Sequence, residues 1–218
     1  MKNLILFFCS VVMFTGCFAP VNSLHDTAKL LEKDEIQVKG NFSSYYNYTN
    51  GFAETNNINT NYGLSVATHL ADGVDIGFRY EAINVRDGNL VTDIEEPLLV
   101  NFLEGRTKIR LIEDRIALEL PLSLYFTGEG AFQYSFDPRL YLTYRPNKHI
   151  DFTIVPKVNF LYGVGGAQPL GAGTWIFPGV VAGMGISSDL DKWAIHPEIG
   201  YDGYFNIGVG FKYNFKLK

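Results

Sequence analysis

Acidic and basic residues fall on one phase of an alternating pattern through most of this sequence. They are Lys39, Asp75, Arg79, Glu81, Arg106, Lys108, Glu119, Asp137, Arg139, Lys157, Glu198 and Lys212, with His69, Arg110 and His196 on the same phase. Interleaved signs permit two kinds of chemistry. The groups can neutralise one another as a salt-bridge network, or they can line a narrow, ion-sized path. Unpaired charges in a confined interior are costly, so a closing network is the expected arrangement, with the narrow path as its alternative. Catalysis has little to build on. No histidine pair has metal-ligand spacing, and neither a GxSxG nor an HExxH run occurs. His149 falls at a short turn, His69 beside another and His196 just past a third. The glycine-rich run 163–173 lacks the lysine and following helix of a phosphate loop. The expectation is no enzyme, no metal and no cofactor.

The remaining reactive residue is Cys17. Met1-Lys2-Asn3 supplies a positive charge, and residues 4–14 (LILFFCSVVMF) are almost unbroken apolar. That length suits a signal peptide and falls short of the roughly 20 residues of a spanning helix. Phe14-Thr15-Gly16-Cys17 resembles the lipobox of bacterial lipoproteins, with Phe14 where an aliphatic residue is commoner. The resemblance implies a diacylglyceryl group on the Cys17 thiol, cleavage before it and acylation of the new amine. The alternative is an ordinary secretory signal cut near Ala19. Of the 2 cysteines, Cys9 lies in the leader, so cleavage leaves Cys17 alone and no intramolecular disulfide can form. Residues 1–16 are therefore expected to be a lipoprotein signal peptide, 17–34 a lipid-anchored tether with a short helix, and 35–218 a single body.

Within the tether, Ser23 and Asp26 read as a capping box, and Leu24, Ala28 and Leu31 recur at helical spacing. A helix over 24–33 is expected, lying near the membrane or against the mouth of the body, with His25 solvated or capping. Asp26-Thr27-Ala28 resembles a short bacterial O-glycosylation acceptor pattern.

From Ile36 onward the hydrophobic period is two. The last segment is clearest, with Phe205, Ile207, Val209, Phe211, Tyr213, Phe215 and Leu217 on one side. Asn206, Gly208, Gly210, Lys212, Asn214 and Lys216 take the other. The same rhythm elsewhere gives about ten strands, each long enough at about 9–11 residues to cross a bilayer when tilted. Residues 98–112 change phase near Glu104, as at a bulge, and 175–187 are apolar on both faces. Pro121, Pro138, Pro156, Pro178 and Pro197 interrupt strand patterns and are expected at bulges. Short turns near residues 71–73, 113–115, 146–148 and 189–191 alternate with longer links, except for a tight link near Asp202-Gly203.

Composition narrows the environment. The chain is 47% hydrophobic, 15% aromatic and 19% charged, which excludes a disordered chain. A net charge of -5 provides no basic excess for nucleic acid. A mean hydropathy of +0.03 is too low for a helical membrane protein. Volume decides which face points inward: a barrel of about ten strands has no room for some forty bulky apolar side chains. The opposite face carries the small residues a crowded interior needs, including Gly63, Ser65, Ala67, Gly77, Gly200, Gly208 and Gly210. The apolar face is thus expected to meet lipid. Tyr46, Tyr80, Phe126, Tyr144, Tyr162, Trp193 and Tyr201, near strand ends, would form interfacial girdles.

The fold class expected is all-β, an antiparallel transmembrane β-barrel of about ten strands preceded by a short helix. Lipobox, capped segment, alternating strands and aromatic last strand together resemble the small outer-membrane β-barrel lipoproteins of Gram-negative bacteria. That resemblance implies an outer-membrane location with both barrel termini on the periplasmic side. Its implied partners are membrane lipid, the barrel-assembly machinery and the lipoprotein-processing enzymes. The last strand would be the assembly signal, although here Phe215 is followed by Lys216-Leu217-Lys218 rather than ending the chain. Such families mostly lack an assigned activity. The function expected is a structural or interaction role with a closed lumen. The alternatives are a narrow porin-like channel and a soluble periplasmic β-barrel lipoprotein binding a small apolar ligand.

Overall fold

A computed structural model describes residues 24–46, 58–85, 98–128, 132–164, 173–202 and 204–217. Its strands are β1 (Glu35–Tyr46), β2 (Ile58–Ala71), β3 (Val74–Val85), β4 (Leu98–Ile112), β5 (Ile116–Thr127), β6 (Phe132–Phe136), β7 (Arg139–Tyr144), β8 (Ile150–Val164), β9 (Gly173–Ile186), β10 (Trp193–Tyr201) and β11 (Phe205–Lys216). β6 and β7 both pair with β5 on one side and β8 on the other, so they are two halves of one stave interrupted at Asp137-Pro138. β1 pairs with β11 from Glu35↔Lys216 to Tyr46↔Phe205, which closes the sheet. The result is an antiparallel barrel of ten staves with no free edge.

The pleat sends the two faces of each strand to opposite environments. Leu64, Phe78, Leu122, Ile154, Ile199, Val209 and Phe211 point outward and are exposed. Lys39, Glu81, Glu104, Glu119, Arg139 and Lys157 point inward and are buried. Burial is inverted relative to a water-soluble domain, in which charged residues are the least often enclosed.

Three sequence expectations change. The segment 24–34 is not helical. It is an extended strap folded into the lumen from the short-turn end, and Leu24, His25, Asp26, Thr27 and Ala28 are all buried. Helical spacing misled because Leu24 and Ala28 contact the inner wall at Val155 and Val181, where an extended chain does as well as a helix. His25 is accordingly neither solvated nor a cap, and buried Thr27 offers no glycosylation site in this arrangement.

The apparent phase change near Glu104 is a change of environment rather than of backbone. β3 and β4 pair without a break from Val74↔Ile109 to Val85↔Leu98. Val100, Phe102, Glu104, Arg106 and Lys108 all point inward, the first two into an apolar cluster with Ile83, Tyr125, Leu161 and Phe177. That cluster caps the lumen toward the long-loop end. The same cluster and the strap explain why β9 is apolar on both faces, since Phe177 and Val181 face inward.

Four of the five prolines are not bulges. Pro121↔Arg106, Pro156↔Val180, Pro178↔Val158 and Pro197↔Val209 keep register with one neighbour. The missing donor shows as a gap on the other side, as between Ile195↔Ile186 and Glu198↔Gly183 beside Pro197. Only Pro138 breaks its stave. The register shifts that do occur, between His69 and Ala71 and between Arg110 and Ile112, adjoin short turns.

Candidate functional site

The lumen holds two tiers of charge with opposite centres. The upper tier is built on Arg139, which is 1% exposed. Its guanidinium reaches Glu104 on β4 at 2.6 Å, Glu119 on β5 at 2.9 Å and Asp137 at the stave break at 2.8 Å. A planar fork with five donors suits this role, because one cation can serve several carboxylates at fixed angles. Tyr141 donates its hydroxyl to Glu119 at 3.1 Å. Nearby, Arg79 donates to Glu81, which also accepts from Asn41 and Asn61. The Arg79 guanidinium lies 5.7 Å from the Phe102 ring centre, linking this tier to the apolar cap. Lys157 pairs with Asp202 at 2.9 Å and lies 3.7 Å from Asp137.

The lower tier is centred on a carboxylate from the strap. Asp26 Oδ2 is 2.8 Å from Lys39 Nζ on β1, 2.8 Å from Lys108 Nζ on β4 and 3.7 Å from Arg106 on β4. Burial pushes the Asp26 carboxyl up, but Lys108, Lys39 and Arg106 outweigh it and hold it well below the usual carboxylate range. The two lysines also donate to strap carbonyls, Lys108 to Thr27 at 2.8 Å and Lys39 to Leu24 at 3.4 Å.

Wall acids in turn hold strap amides. Glu198 accepts from Leu24 N at 2.9 Å, and Asp75 accepts from Leu31 N at 2.8 Å. Burial, with Arg79 nearby, pushes the His25 imidazole down to about 3. The neutral ring donates Nδ1–H to the His196 carbonyl at 2.9 Å. Gly210 makes this approach possible: a Cβ there would stand 2.5 Å from His25 Cβ. Between strap and wall, lined by Asp26, Arg106, Lys108 and Glu119, remains a cavity of about 10 Å³, roughly the space of one water.

At the rim the strap is pinned by Asp191, in the turn after β9, which pairs with Lys29 at 2.6 Å and Arg145 at 2.8 Å. Arg145 foremost, against partial burial, and then Lys29 hold its carboxyl down at about 2.

The structure thus gathers Arg79, Glu81, Glu119, Asp137, Arg139 and Lys157 above, and Lys39, Arg106 and Lys108 below. Asp75 and Glu198 accept from strap amides, and Asp75 also lies 3.7 Å from His69 on β2. Lys212 stands across the ladder from Lys39. Sequence reasoning missed Glu104, which lies on the phase of Arg106 and was hidden by the supposed bulge. It also missed Asp26, assigned to a helix, Asp202, the partner of Lys157, and buried Asp151 on β8, which accepts from Gly185 N at 3.0 Å. Among the girdle candidates, Tyr144 and Trp193 lie toward the short-turn end, with Phe126, Tyr162 and Tyr201 toward the long-loop end. Tyr80 is a correction. It sits mid-strand between Leu64 and Leu103, because β3 runs on to Val85, and its hydroxyl donates to Asn101 at 2.7 Å. The side chain of Tyr46 and all of Cys17 lie outside the described residues. Among the described residues, no group of three or more His, Cys, Asp or Glu could hold a metal.

No protein-family model matches the chain, and no curated protein matches it in sequence. Solved structures are similar in shape at low identity. An outer-membrane channel from Pseudomonas putida F1 is 10% identical, with a TM-score of 0.49 over 86% of this chain and 98% of its own. The translocator domain of autotransporter NalP from Neisseria meningitidis is 8% identical, with a TM-score of 0.43 over 84% and 88%. The KdgM porin is 14% identical, with a TM-score of 0.39 over 83% and 99%.

Proposed function

We propose that this chain is an outer-membrane β-barrel lipoprotein with a structural or interaction role, anchored through Cys17 and sealed along its lumen. The observation that carries the reading is the inverted burial: apolar side chains cover the outside of a closed barrel whose inside is charged. In water such an exterior would drive association, whereas in a bilayer it is the solvated face. β1, β2, β5 and β11, at 12 to 14 residues, exceed the length needed to cross when tilted. The partners that follow are membrane lipid, the barrel-assembly machinery reading β11 and the enzymes that lipidate Cys17. The side chains Tyr144, Trp193, Phe126, Tyr162 and Tyr201 would sit at the two interfaces.

Closure is supported by the filled lower tier, the three-carboxylate node at Arg139 and the apolar cap above both. Each would have to move for an ion to pass, which places the narrow-channel alternative second. The test is conductance of the purified full-length protein in planar bilayers. A closed barrel gives no ion-selective openings. Steady openings altered by Arg79→Ala or Glu119→Ala would overturn the sealed reading. Labelling cells with radioactive palmitate tests the anchor, and absence of label would refute it.

A further inference from the structure

We propose that the Lys39–Lys108–Arg106 cluster is a binding site for a small-molecule carboxylate, occupied in this structure by Asp26 of the strap as a tethered stand-in. The two tiers differ in where most of their counter-charges come from, although Arg106 also lies 3.4 Å from the wall acid Glu119. Arg139 is neutralised by Glu104, Glu119 and Asp137, all supplied by the barrel wall or its stave break. Among the described residues, Lys39 and Lys108 have only Asp26 within ion-pair distance, and Asp26 belongs to the strap. Lys39 also faces Lys212 directly across the β1–β11 ladder, and both are buried. Like charges directly opposite destabilise a sheet, so an anion from outside this wall stabilises the Lys39–Lys212 pair.

The stand-in is held by replaceable contacts. Its amides bond Glu198, Thr143 and Asp75, and its rim pairs through Lys29 and Asp191 are partly exposed. Beside strap residues 29–33, a recess of about 410 Å³ at the short-turn end is lined by both signs of charge, Lys33 and Arg110 with Glu32, Asp72, Glu113 and Asp114. With the strap displaced, that end leads to the cluster, while the apolar group around Phe102 and Phe177 still closes the far side. The site is therefore a blind pocket and not a pore. The proposal rests on the closed-lumen reading and is independent of lipidation at Cys17.

The experiment is chemical rescue of full-length Asp26→Ala and Asp26→Asn proteins, refolded in detergent and melted at constant ionic strength. The additives are formate, acetate, inorganic phosphate or chloride. The expected result is that both variants melt lower than wild type. Formate or acetate raises Asp26→Ala by several degrees over chloride, and wild type does not respond. Asp26→Asn, which keeps the shape of the side chain, shows a smaller response. Adding Lys108→Met to Asp26→Ala abolishes rescue. An equal response of wild type and variants, a response to phosphate alone, or none beyond chloride would each overturn the proposal. Conductance of the same preparations separates its failure from that of the sealed barrel. Should Asp26→Ala fail to refold, hydrogen exchange on wild type decides: acetate is expected to speed exchange of the Leu24 and Leu31 amides at least tenfold over chloride, and no acceleration refutes the site.

Discussion

Replacing Arg139 with methionine keeps much of the side-chain volume and removes the guanidinium that three buried carboxylates share. Glu119 retains Arg106 at 3.4 Å and Asp137 retains Lys157 at 3.7 Å, so the loss falls most heavily on Glu104. Removing one partner of a buried ion pair costs about 3–5 kcal/mol, because the other charge stays desolvated. The remaining cations argue for the lower end, about 3 kcal/mol. With a urea slope of roughly 2 kcal/mol/M, the unfolding midpoint should fall by about 1.5 M. The assay is reversible unfolding in detergent or small vesicles, followed by tryptophan fluorescence and by gel mobility without heating. Adding Glu104→Gln removes the orphaned charge and should recover about 1 kcal/mol or more, within the coupling expected of contacting residues. A shift of less than about 0.5 kcal/mol for Arg139→Met, or no recovery in the double variant, would refute the view that the upper tier holds the staves together.

Leu64, 65% exposed in the middle of β2, should tolerate lysine in a water-soluble sheet. In a bilayer, Leu64→Lys should cost about 2–4 kcal/mol, measured by unfolding in vesicles. Gly210→Val should expel the strap by colliding with His25; hydrogen exchange should then show Leu24–Leu31 amides unprotected while the barrel folds. Gly105→Ala, with nothing within 4 Å of the added Cβ, should leave both unchanged. Asp191 titrates at about 2 when folded, below roughly 3.9 unfolded, so its contribution is present above pH about 4 and lost as pH falls toward 2. Its side chain is half exposed, so Asp191→Asn should cost under about 1 kcal/mol at pH 7 and progressively less as pH falls through 2. A pH-independent difference in unfolding midpoint would contradict the Lys29–Asp191–Arg145 rim contact.

Period-two alternation made the barrel legible, because a strand with one lipid-like face and one crowded face leaves a two-residue signature that neither a helix nor a two-sided core produces. It marked most of the lumen charges, since Arg79, Glu81, Glu119 and Arg139 share the phase of the small residues. It failed where the interior itself became apolar. At Val100 and Phe102 the inward face resembles the outward one, so a continuous strand read as a bulge and Glu104 fell off the list of lumen acids. The strap was missed for a related reason. Leu24, Ala28 and Leu31 meet the wall through tertiary contacts, and spacing alone cannot tell an extended chain enclosed by a barrel from a short amphipathic helix. Pairings such as Asp26 with Lys39 and Lys108 join residues 13 and 82 positions apart, which no local pattern encodes.

The central claim is that the apolar exterior faces lipid and that the barrel itself, beyond any anchor at Cys17, holds the protein in the membrane. Fractionation of the Cys17→Ala protein tests it most directly. The account predicts that Cys17→Ala remains in the membrane fraction through a carbonate wash and migrates faster on a gel when unheated than when boiled. Release into the soluble fraction, with the same mobility before and after heating, would contradict it.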